Sequence, residues 1–247
     1  MSDVVSGRRA VTEAIRAGAA REILVARGAR RTEGLRSLFE AAERAHVRIR
    51  EVDRDELDAL AGDHRGVVAR VEASAGVPAP LGERDLETFA FTPDAVVVIL
   101  DGVEDPQNLG AAARSAEAAG VAMLVTRVHR SAPITSAAVR ASAGALAHLP
   151  HARVANLSRA IERLQKVGFT VVGLDGGSGT SVFAAACPTG RVALVVGSEG
   201  SGMSRLVRER CDLLVALPMR GRVGSLNAAA SLAAVLYAYV LPLRDAR

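Results

Sequence analysis

The chain is poor in sulfur, aromatics and lysine: of its 247 residues two are cysteine and 3% are aromatic, tryptophan is absent, and Lys166 is the sole lysine. Cys187 and Cys211 are too few and too far apart for a disulfide framework or a zinc-ligand pattern, so a reducing, cytoplasmic setting is expected. A secretory leader is not expected either, because MSDVVSGRRAVTEAIRAG has no apolar core. The most apolar stretch, Ala228 to Leu243, is rich in alanine and interrupted by Ser231 and Pro242. It is shorter than the roughly 20 residues a membrane span needs and reads as a buried helix. No repeat of solenoid period is visible.

What the chain does have is arginine. The formal charge is +4, carried almost wholly by guanidinium groups. Arginine neutralises phosphates and forks onto them, so nucleic acid is a permitted partner, although a GC-rich genome would leave the same bias. With 49% hydrophobic and 23% charged residues the composition is that of a folded globular protein.

Residues 4 to 72 alternate helices (9–17, 32–45, 53–60) with strands (22–26, 47–52, 66–71), a small α/β module. The Gly- and Pro-containing stretch that follows, around Pro78 and Pro80, has the composition of a linker, placed at 73–93. From Asp94 a second α/β pattern begins. Its strands are expected at 95–101, 121–126, 169–175, 192–198 and 213–219, with helices at 109–119, 136–147, 156–166, 204–210 and 226–240. AVVVILD is an uninterrupted apolar run, as in a strand buried on both faces, and the alternation predicts a mostly parallel sheet covered by helices.

In such a sheet ligands bind where loops leave the carboxyl ends of strands, and three loops carry polar groups that a core does not need. The first is LDGVEDPQNLGAAARSAEAAG, with Asn108 before a helix and Arg114 in its second turn. Asn108 can be a helix cap; Arg114, on an alanine-rich helix, is either paired internally or aimed at an anion. Asp101, Glu104 and Asp105 in this loop could suggest a metal cluster, but acids before a helix are explained by its dipole, and no metal is expected. The second loop, VVGSEGSGMS, is a glycine turn holding Glu199, readable either as backbone amides approaching a ligand or as a plain left-handed turn. It matches neither a Walker loop nor GxGxxG. The third, LPMRGRVGSLNAAASLAAVLYA, presents Ser225 and Asn227 ahead of a helix of small residues. GGSG at 176–179 is a weaker glycine turn at the same sheet edge.

Taken together and in this order, the three segments resemble the SpoU/TrmH branch of the SPOUT methyltransferases. SGRRAVTEAI and HRGVVARV resemble the small L30e-like domain that precedes the catalytic domain in the RlmB-like subgroup, and RSAPITSAAVRASAGALAHLP resembles that subgroup's stretch between the first two catalytic motifs. The resemblance implies an RNA-binding domain at 1–72 and a methyltransferase domain at 94–247, with a trefoil knot over Leu217 to Asn227. It implies S-adenosylmethionine as cofactor, held by Leu174, Asp175, Gly176, Gly197, Glu199, Gly200, Leu217, Met219, Ser225 and Leu226. It implies catalytic roles for Asn108, Arg114, Glu199, Ser225 and Asn227, and a homodimer. Arg114 would act as general base or as a clamp on the substrate phosphate. The implied reaction is methylation of a ribose 2'-OH in RNA, a guanosine of 23S rRNA, with a tRNA ribose as the alternative. A catalytically silent RNA-binding protein is a further alternative. A nucleotide-binding oxidoreductase would need the GxGxxG turn that DGVEDPQNLG lacks.

Overall fold

Short β-branched strands alternating with Ala- and Leu-rich helices build two separate sheets. The computed structural model describes residues 3–16, 18–28, 35–62, 64–71 and 77–241. The chain divides into two units, 1–77 and 78–247.

The first unit runs β1 (Asp3–Ser6), α1 (Arg8–Arg16), β2 (Ala20–Ala26), α2 (Arg36–Arg44), β3 (Arg48–Val52), α3 (Arg54–Leu60) and β4 (Val67–Val71). Its sheet has the order β1-β4-β2-β3, with β4 antiparallel to both neighbours and β2 parallel to β3. Alternation along the strands separates two cores. Ile23, Val25, Val67 and Ala69 face α1 and α2, while Leu24 and Val68 face Leu57 of α3. The strand β1 was not legible in the sequence, and residues 32–34 of the expected 32–45 helix lie outside the described residues, as do residues 72–76 of the expected domain boundary.

The second unit begins with α4 (Asp85–Thr88), followed by β5 (Val96–Asp101), α5 (Pro106–Ala118), β6 (Met123–Arg127), α6 (Ser136–Ala141), β7 (His151–Val154) and α7 (Leu157–Lys166). Then come β8 (Phe169–Leu174), β9 (Arg191–Gly197), α8 (Arg205–Arg210), β10 (Leu213–Val215) and α9 (Ala228–Val235), which continues as a π-helical turn over Leu236–Val240. Residues 78–93, read from composition as linker, belong to this unit: Leu81 pairs with Ala152, and Leu86 and Phe91 are buried in its core. The sheet order is β10-β8-β9-β5-β6-β7 and every pair is parallel. The expected α/β architecture, a mostly parallel sheet preceded by a small α/β domain, is the one observed. One face of the sheet, with Val97, Ile99, Val125 and Val195, packs on α7 and on Val207 of α8. On the other face Val98, Leu100, Leu124 and Leu194 are fully or almost fully buried, α9 packs against β9, and α5 lies between α6 and α9. That close approach depends on Gly110, where a Cβ would lie 2.3 Å from the carbonyl oxygen of Ala138.

In this unit β7 was not expected, and three expected elements differ in extent. The helix expected over 136–147 is broken after Ala141, because Ala143 and Gly144 take left-handed backbone angles (φ 49° and 95°) before a single 3-10 turn. The strand expected to reach Met219 ends at Val215, where the chain turns to pair Ala216 with Ser181. The helix expected from Leu109 begins at Pro106, with Asp105 as its cap accepting from the amide of Gln107 at 3.0 Å. Asn108 is therefore inside the first turn and does not cap it, and Arg114 lies on the third turn, not the second.

Candidate active site

The carboxyl ends of β8, β9 and β10 open onto a cavity of 640 Å³, within the range of small-molecule sites. Its walls are the loop after β8 (Leu174 to Gly179), the turn after β9 (Gly197 to Gly202) and the segment between β10 and α9, including Leu217, Met219, Ser225 and Leu226. Every residue assigned to the cofactor on the strength of the family resemblance lines it. The lining also includes Ser178, Ser181, Ala216 and Ser231, which carried no individual signal in the sequence. Glycine turns bring backbone amides to the wall, and Leu174, Val196, Leu217 and Leu226 give it apolar area.

The turn after β9 is closed on itself. Ser198 and Gly202 exchange backbone hydrogen bonds of 3.1 and 3.0 Å, and the hydroxyls of Ser198 and Ser201 are 2.5 Å apart. Gly197 is required by this geometry, since a Cβ there would sit 2.1 Å from the carbonyl carbon of Gly202. Glu199, at the tip, is turned towards the other two segments. Its Oε1 accepts from Asn108 Nδ2 (3.2 Å), Asn227 Nδ2 (2.5 Å) and the Ala228 amide (3.3 Å). Asn227 Nδ2 also donates to Asn108 Oδ1 at 2.8 Å, while Asn227 Oδ1 caps α9 by accepting from the amides of Ala229 and Ala230. Each amide orientation is set by this network, because only one assignment gives every atom a compatible partner. Asn108, Glu199 and Asn227 thus form one polar cluster that joins the three segments.

Arg114 and Ser225 are placed differently. Arg114 is exposed and forms no hydrogen bond or ion pair among the described residues, a free cation on the α5 surface. Ser225 lines the cavity wall, and of the Ser-Leu-Asn run only Asn227 caps the helix. Asp175 also lines the cavity, but both its oxygens are engaged: Oδ1 accepts from Gly177 N at 3.0 Å and Oδ2 from Arg208 Nε at 2.6 Å. The Arg208 hydrogen bond holds its carboxyl below the usual carboxylate range. Asp101, considered as a metal ligand, spends its carboxylate on Arg127 and the Ser204 amide, and Asp105 spends its own on the α5 cap.

Comparison with known proteins agrees with this layout. Residues 95–237 match the model of the SpoU rRNA methylase family, and residues 4–76 match that of RNA 2'-O ribose methyltransferase substrate binding. The chain is 36% identical to the 23S rRNA (guanosine-2'-O-)-methyltransferase RlmB of Vibrio cholerae over 96% of its own length and 95% of the relative's. It is also 36% identical to a putative TrmH family tRNA/rRNA methyltransferase of Staphylococcus haemolyticus, over 95% of this chain and 93% of that one. Among solved structures it resembles the SpoU methyltransferase AviRb of Streptomyces viridochromogenes in complex with AdoMet, with a TM-score of 0.68, 29% identity and coverage of 98% of this chain and 90% of that one. A match of the methylase model to more than half of the chain, together with relatives this similar over nearly full length, means that the chain belongs to the SpoU rRNA methylase family.

Proposed function

We propose that the chain transfers a methyl group from S-adenosylmethionine to a ribose 2'-OH of RNA, its substrate a guanosine of 23S rRNA. The observation that carries this reading is the Asn108–Glu199–Asn227 cluster, which binds three distant segments into one site beside the cavity. The guanosine assignment rests on the RlmB relatives, and the first unit, which matches a substrate-binding model, supplies the means of holding a large RNA.

The cavity fits the cofactor: backbone amides of the turns after β8 and β9 suit an adenine edge and a carboxylate, and Leu217 and Leu226 suit its apolar face. When bound, the cofactor supplies a sulfonium methyl as electrophile. The chain's own residues then have an orienting task, since the attacking oxygen must be held in line. Asn108 and Asn227 fix the edge of the site through Glu199. Arg114 clamps the phosphate next to the target ribose and stabilises the alkoxide as the hydroxyl proton leaves to water. A guanidinium has no acceptor and keeps its proton, which favours the clamp over a general base. Ser225, on the cavity wall, positions cofactor or ribose.

We also place a homodimer interface on the exposed apolar side chains of the β10–α9 region, Met219, Val223, Leu226 and Tyr237, of which Val223 is 70% and Tyr237 52% exposed. The knot implied over Leu217 to Asn227 belongs to the same proposal. Mapping ribose methylation in total RNA from cells with and without the protein tests the substrate. Loss of one 23S rRNA guanosine mark is expected; loss of a tRNA mark moves the substrate to tRNA, and no change in any ribose mark overturns the reaction.

A further inference from the structure

A second polar group lies beneath the turn that presents Glu199, and none of the roles assigned so far uses it. Asp101 is the last residue of β5, in register with Gly197 on β9, and its side chain is 4% exposed. Its Oδ2 accepts from the backbone amide of Ser204 at 2.7 Å, and its Oδ1 lies 3.1 Å from Arg127 Nη2. Arg127, the last residue of β6, donates from the same Nη2 to Ser204 Oγ at 3.1 Å, while its Nε is buried with no partner among the described residues. One residue, Ser204, is thus held by backbone and hydroxyl from two neighbouring strands. It stands where the turn ends and α8 begins.

This arrangement is expensive as a stabilising device. Asp101 is buried while the Arg127 side chain keeps 24% of its surface exposed, so desolvation offsets part of their attraction and the orphaned guanidinium nitrogen adds to the cost; apolar residues of similar volume often hold two strands together as well as such a pair. Such groups are retained where they fix a geometry that a nonpolar contact would leave loose. The geometry at stake here is the turn. Its entry is set by the Gly197–Gly202 approach and its exit by Ser204. Between them lie the backbone of Gly197 to Gly202, which lines the cavity, and Glu199, which ties Asn108 to Asn227.

We infer that Asp101 and Arg127 are positioning residues that act through Ser204 to hold the glycine turn in its ligand-ready shape. They prepare the cofactor wall without touching cofactor or RNA. The inference rests on the methyltransferase reading, since it takes the cavity as the cofactor site.

Three full-length variants test it, Asp101→Asn, Arg127→Met and Ser204→Ala, read by calorimetric binding of S-adenosylmethionine, by kcat and KM for methyl transfer, and by thermal unfolding. Arg127→Met and Asp101→Asn are expected to raise the cofactor Kd and KM about tenfold, the effect of one lost hydrogen bond or pair of order 1.4 kcal/mol, with KM for RNA unchanged. Arg127→Lys, which keeps the charge, is expected to recover part of the loss. Ser204→Ala removes only a hydroxyl, keeps the fold, and is expected to raise the cofactor Kd about threefold. It carries the test if Arg127→Met does not fold. Cofactor affinity equal to wild type in the folded variants overturns the inference, as does an equal rise in KM for RNA. Wild-type protein that binds cofactor without methylating RNA defeats the functional reading alone.

Discussion

Arg114 is the side chain on which the proposed chemistry turns, because it is a cation with no partner among the described residues, on a helix whose first turn enters the polar cluster. If it clamps phosphate and stabilises the alkoxide, Arg114→Ala lowers kcat by about 10²–10³, the usual cost of removing one donor to a developing oxyanion. Calorimetric binding of S-adenosylmethionine should be unchanged. Arg114→Lys should keep part of the activity, since a clamp needs charge. His151 makes a prediction of a different kind. Its ring is buried beside Thr126, with Nε2 2.8 Å from the hydroxyl and Nδ1 unpartnered, and burial pushes its pKa down to about 4, helped by the nearby Arg153. The unfolded chain takes up this proton near the ordinary histidine value and the folded chain only near 4, so the unfolded state binds more protons between them and stability rises with pH across that window. Unfolding in urea should show about 2 kcal/mol less stability at pH 5 than at pH 7 from this residue. His151→Gln, whose amide can donate to or accept from the Thr126 hydroxyl, should flatten that slope; an unchanged slope would remove His151 as its cause.

Among the elements, the turn after β9 and the start of α9 carry the site, and both make demands visible in single substitutions. Gly197→Ala places a Cβ where only the Gly202 backbone can be, so the turn must open and cofactor binding should be lost to calorimetry. Asn227→Ala removes the α9 cap and two hydrogen bonds of the cluster together. It should cost about 1 kcal/mol of stability as a cap, with a larger fall in methyl transfer than that loss explains. Long, strongly patterned elements were legible in the sequence: β5, β8, β9 and α7 lie within two residues of expectation. Four-residue strands were not. In β7 a buried histidine, His151, stands beside the buried Ala152 and Val154 and only Arg153 is partly exposed, so the run HARV shows neither a period nor an apolar stretch, and the left-handed pair Ala143–Gly144 that follows α6 leaves no mark in an alanine-rich sequence. Within the site, the residue types of all three segments were legible because glycines, a carboxylate and amides clustered at strand ends. The pairing was not: Asn108 and Glu199 are 91 residues apart, and only the parallel register of β5 and β9 brings their loops together. The Asp101–Arg127–Ser204 group was equally hidden, because an arginine at a strand end looks like ordinary surface charge.

The whole molecule is an arginine-rich chain whose residues 4–76 match a substrate-binding family and whose residues 95–237 match a methylase family. If the exposed apolar side chains of the β10–α9 region meet those of a second copy, light scattering should give twice the monomer mass, and Val223→Asp with Tyr237→Asp should give a monomer with greatly reduced transfer. A monomeric wild-type protein at micromolar concentration would sink that interface. Phosphate binding by guanidinium groups further implies that affinity for RNA falls steeply as salt rises. Whether the cluster and the cavity beside it methylate a ribose is decided by tritium transfer from labelled S-adenosylmethionine to 23S rRNA, followed by mapping of the labelled nucleotide. Label on the 2'-oxygen of one guanosine, lost in Arg114→Ala while cofactor binding persists, is the predicted result. Label on a base, or transfer that Arg114→Ala leaves intact, would contradict it.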